Sequence, residues 1–66
     1  MAIHKVIEVI AQSDKGWEDA ARGAVQDAAK TVKNIRSLNV DNLHAVVQGD
    51  KIVQFRVNAK ITFEVQ

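Results

Sequence analysis

The sequence predicts a small α+β protein of order β-α-β-β, with one helix packed in a strongly curved three-stranded antiparallel sheet. Three observations carry that expectation. The last sixteen residues run from Lys51 to Gln66, and from Val53 onward they alternate strictly between apolar and polar side chains. Residues 17 to 33 instead repeat every 3.6 positions, the spacing of an amphipathic helix. Between these two segments stands Gln48-Gly49-Asp50-Lys51, whose Gly-Asp pair suits a two-residue type II′ hairpin turn. Sixty-six residues with no Cys and no Pro-rich or Gly/Ser-rich linker form one domain over 1–66. A chain that small builds little core, so partner subunits are the stabilising device left to it.

Residues 2 to 11 are rich in β-branched side chains and predict the first strand. Ile3, Lys5, Ile7 and Val9 share one face, and His4, Val6, Glu8 and Ile10 the other. Neither face is cleanly polar, which suits a central strand or a strand at a subunit contact. Ser13 or Asp14 is expected to cap the helix. Trp17, Ala20, Ala21, Ala24, Ala28, Thr31 and Val32 form its apolar stripe, with Trp17 as the one large anchor. Small residues, Gly23 included, let the helix approach its support closely. Acidic Asp14, Glu18 and Asp19 lie early and basic Lys30 and Lys33 late, in the order the helix dipole favours. Glu18 and Arg22 are spaced for a surface pair. Asn34 is placed to end the helix.

Ile35 to Gln48 predicts the second strand, with a phase change near Asp41–His44 that signals a β-bulge. Closing the hairpin at Gln48–Lys51 makes paired residue numbers sum to 99. Val46 would then meet Val53, Val40 meet Ala59 and Leu38 meet Ile61. The third strand, Lys51 to Gln66, would span roughly 50 Å at about 3.3 Å per residue, against about 17–20 Å for a usual strand. It must bend, project beyond its own domain or pair with another copy.

Lys and Arg total 9 against 8 acidic residues, a net charge of +1 spread along the chain. That distribution argues against nucleic acid as a partner. No apolar run approaches the ~20 residues of a membrane span. His4, Lys5 and Glu8 also interrupt any signal-peptide reading of Met1–Ile10, so a cytoplasmic location is expected. No catalytic constellation is visible. His4 and His44 read as satisfied or solvated strand histidines, and Asp41-Asn42 and Asp50 as solvated turn residues. Ser37 and Arg56, the latter flanked by Gln54 and Asn58, both fall on the polar face of the hairpin.

The run Lys5–Ser13 leading into the helix, Trp17-Glu18-Asp19-Ala20-Ala21, Thr31-Val32-Lys33-Asn34-Ile35 and Ala59–Val65 together resemble the dodecins over essentially the whole chain. The resemblance implies a homododecamer built from trimers around a hollow centre, which stores or buffers flavin and is not an enzyme. Its flavin-binding members stack isoalloxazine rings between a Trp just after the helix and a Gln on the last strand. At those cofactor-binding positions this sequence has Ser37 and Arg56. Ser37 presents no aromatic face, which predicts lost or altered flavin binding. A flavin (FMN or riboflavin) carrier with a rebuilt site is the alternative, since a guanidinium can lie flat on a ring. Ile35-Arg36 and Phe55-Arg56 are closer to the flavin-free branch called calcium dodecins. Calcium is therefore the candidate metal, with no ligands assigned, and any small-molecule ligand is expected in a cavity between subunits.

Overall fold

The computed structural model describes residues 2–65, so Gln66, the last polar position of the alternation, lies outside it. Strand β1 (Ile3–Ser13) is followed by helix α1 (Trp17–Ala28), strand β2 (Ile35–Gln48) and strand β3 (Lys51–Val65). All pairing is antiparallel and the sheet order is β1-β3-β2. The fold class is therefore the α+β arrangement expected. The central strand is β3, however, and β1 is an edge. A strand apolar on both sides can be central or lie at a contact surface, and β1 is not central.

The pleat of β3 decides what is buried. Its odd residues face α1, and Val57, Ala59 and Ile61 are fully covered, joined by Ala20 from the helix. Ile7, Val9 and Ala11 pair with these three from β1, and Leu38, Val40 and Leu43 from β2. Residues directly opposite in a sheet share a face, so one apolar surface runs across all three strands. The helix covers only part of it, and Val40 and Leu43 on β2 remain exposed.

The hairpin register follows the predicted sum of 99 at Gln48–Lys51 and again where Val40 meets Ala59 and Leu38 meets Ile61. Between these points it runs one higher. Val46 faces Gln54, not Val53, because Val53 is an extra residue on β3. Asp41 is an extra residue on β2, within the predicted phase change, and restores the original register. A bulge on each strand therefore cancels the other. The Asp41 bulge returns Leu43 and Ala45 to the helix face, opposite Val57 and Phe55. A third irregularity leaves Arg36 unpaired between Ile35 and Ser37. The turn has Gly49 at φ 65 with Asp50 outside the positive-φ set, as type II′ requires.

The helix departs from expectation at both ends. Its first flanking residue is Gly16, at φ 154 and ψ 170, and no side chain caps it. Ser13 Oγ instead accepts from the Lys15 amide at 2.9 Å and donates to Asp19 Oδ2 at 2.6 Å. At the other end the helix stops at Ala28, without a basic residue in its last turn. The Lys30 and Thr31 amides reach back three residues, to Asp27 and Ala28, at 3.2 and 3.1 Å. Those tighter bonds close the helix five residues before Lys33 and satisfy carbonyls left open at its end. Asn34, at φ 63, then turns the chain into β2.

Candidate ligand-binding face

The even residues of β3 make the other side of the sheet, and pairing extends each one into a row across three strands. One row is His4, Glu64 and the nearby Arg36; the next is Val6, Thr62 and Ser37. Then come Glu8, Lys60 and Asn39, followed by Ile10, Asn58 and Asn42, and lastly Gln12, Arg56 and His44. The face is polar in the middle, but Val6 and Ile10 on the β1 edge are 55% and 66% exposed.

Most charges on this face are matched locally. Glu64 Oε1 lies 3.6 Å from Arg36 Nε and 3.8 Å from His4 Nε2. Asp41 Oδ1 accepts from Asn39 Nδ2 at 2.7 Å, and Asp41 Oδ2 lies 3.5 Å from Lys60 Nζ. These pairs are partly exposed, so each contributes at most ~1 kcal/mol to stability. What they do is hold the side chains in place. Asp41, a candidate cation ligand by type, already has both carboxylate oxygens engaged. Among the described residues no three His, Asp or Glu side chains come together.

Ser37 and Arg56 do share this face, as their parity predicts. They are not neighbours. Ser37 pairs with Thr62, six residues along β3 from Arg56, or about 20 Å at strand spacing. The two positions could line one cavity only across copies of the chain. Ser37 is exposed beside Thr62 and Val6, with no aromatic ring in its row. Arg56 is held by a residue the sequence gives no reason to choose. Its Nε and Nη2 donate to Gln12 Oε1 at 3.1 and 2.8 Å. The β1–β3 register that makes Gln12 its partner is set across a helical crossover, and no turn in the sequence announces it.

Trp17 belongs to the opposite face and is fully engaged there. Its ring meets Phe55 edge-on at 4.9 Å and 80°, and its Nε1 donates to the His44 carbonyl at 2.7 Å. It anchors the helix start to the hairpin, as its place on the apolar stripe implies. The neighbouring groove between α1 and β1, lined by Ile7, Val9, Ala20, Ala24, Asp19 and Asp27, brings no catalytic set together. Among the described residues no helix is long and apolar enough to cross a membrane.

These features define a class: a small β-α-β-β protein whose sheet is too large for its single helix and whose polar face carries the candidate ligand groups. The dodecin family model matches residues 3–66, and the chain belongs to the dodecin family. It is similar to the calcium dodecin of Mycobacterium tuberculosis, at 32% identity over 66 residues, all of this chain and 93% of that one. The crystal structure of that calcium dodecin, described as calcium chelating with a novel calcium-binding site, superimposes with a TM-score of 0.83. There the identity is 34%, over 97% of this chain and 91% of that one. The Streptomyces coelicolor dodecin shares the fold at a TM-score of 0.94 and 23% identity, over 98% and 93% of the two chains. A T. thermophilus dodecin mutant does so at 0.94 and 20%, over 100% and 98%.

Proposed function

We propose that the chain, as one domain over residues 1–66, forms a dodecin-type homododecamer in the cytoplasm that binds or stores a small ligand and catalyses nothing. The observation that carries this reading is the imbalance between core and surface. Four hydrophobic residues are buried among those described, while eight large aliphatic ones are at least 41% exposed, on both faces of the sheet. Burying an aliphatic side chain contributes about 1.5–3 kcal/mol, so association has much to gain and the single chain little to stand on. The ligand cavity would be lined by the polar face, with Ser37 and Arg56 supplied by different copies.

On this reading flavin binding is lost or altered, because Ser37 replaces a stacking ring worth ~1–3 kcal/mol. Calcium is the second reading, supported by the similarity to the calcium dodecin. Since no three His, Asp or Glu side chains come together among the described residues of one chain, such a site would draw carboxylates from more than one copy. Light scattering tests the assembly: the mass should be about twelve times the 7.3 kDa of the chain. A stable monomer would sink the proposal.

A further inference from the structure

The chain has three arginines, and two of them face carboxylates: Arg22 pairs with Glu18 and Arg36 with Glu64. Arg56 has no carboxylate within salt-bridge reach among the described residues. Its two bonds go to one atom, Oε1 of Gln12, a neutral amide. That amide fixes the plane of the guanidinium and leaves its charge uncompensated. A guanidinium carries five N–H groups in a rigid fork. Gln12 takes one from Nε and one from Nη2, along one side of the fork. The end formed by Nη1 and the second Nη2 hydrogen stays open. Two parallel N–H groups at that end match a carboxylate or phosphate bidentately.

The surroundings favour an anion as well. His44 stands directly opposite on β2, and Gln54 and Asn58 lie two positions to either side along the same face of β3. None carries negative charge, and each can present an N–H. The nearest carboxylates along the paired strands, Asp41 and Asp14, make no ion pair with Arg56, and Asp41 is already engaged by Asn39 and Lys60. An arginine needed only for stability would gain more from a carboxylate partner than from an amide.

We infer that the open end of Arg56 is an anion subsite that takes a carboxylate or phosphate group of a small ligand, and that Gln12 is its positioning residue. This rests on the polar face being the ligand face. Protein isotopically labelled only at arginine gives three side-chain Nε–H signals, and Arg56→Lys identifies the one from Arg56. Inorganic phosphate and acetate are titrated separately into the assembled protein at constant ionic strength, with chloride as the control.

The Arg56 signal should shift to saturation with phosphate, acetate or both, while the Arg22 and Arg36 signals move only as they do in chloride. Which anion saturates distinguishes a phosphate-bearing from a carboxylate-bearing ligand. Gln12→Ala should weaken the midpoint by roughly three- to tenfold, the cost of releasing a side chain held by charge-assisted bonds. A linear shift equal to that in chloride overturns the inference, as does a Gln12→Ala midpoint equal to wild type. If either variant fails to assemble, the wild-type titration against chloride still decides. Light scattering separates the two proposals: a monomer ends the assembly reading, whereas a flat titration on the full assembly ends this one alone.

Discussion

On the proposed reading, single side chains at Ser37 and Arg56 set what the polar face can hold. If these are the stacking positions, Ser37→Trp and Arg56→Gln together should give tight flavin binding where the unmodified protein is proposed to bind weakly. The readout is quenching of flavin fluorescence during titration. Strong quenching by the unmodified protein would contradict the expected loss. The parity of both residues was legible, because alternation on a strand fixes the face. Their separation was not, since parity says nothing of distance along the strand. Nor was Gln12: its pairing with Arg56 depends on strand order, and a helix between two strands imposes no register. The expected cap at Ser13 or Asp14 failed for a backbone reason. Gly16 adopts a φ of 154 that other residues rarely take, and the helix starts one residue later, beyond reach of an ordinary cap.

The elements show which signals in the sequence are strong. The hairpin register was readable from its turn, because a two-residue Gly-Asp loop fixes the first pair and propagates outward. It slipped at Val53, next to Ile52, where two consecutive apolar residues break the alternation without showing which of them is the extra one. The helix end was readable only approximately. Thr31 and Val32 continue the apolar stripe in sequence, yet the backbone has already tightened at Ala28. Gly23 was expected to permit close approach, but a Cβ placed there meets nothing within 4 Å. Gly23→Ala should therefore stabilise the protein by about 1 kcal/mol through helix propensity. Urea midpoints measure this. A lower midpoint would mean that another copy seats against that turn of the helix.

The whole molecule is long and thin, 51 × 20 × 13 Å. Its radius of gyration is 13.5 Å, against roughly 10.8 Å for a compact chain of this length. It exposes 4865 Å², where a compact monomer of its mass would expose roughly 4200 Å². The elongation follows the long β2–β3 hairpin, whose tip runs past the end of β1 at Ser13, while β3 stays paired within its own sheet. Ile10→Glu places a charge on the most exposed of these aliphatic positions, where an isolated chain would lose under ~0.5 kcal/mol. In the assembly it should lower the mass seen by light scattering if the β1 edge is buried between copies. An unchanged mass would remove that edge from the interface. The strand order also bears on how the chain is made. Both β1 and β2 hydrogen-bond only to β3, and β3 carries Val57, Ala59 and Ile61. A ribosome therefore finishes β1, α1 and β2 before any sheet can close. The nascent chain must keep those aliphatic strands unpaired until its final strand emerges to join them.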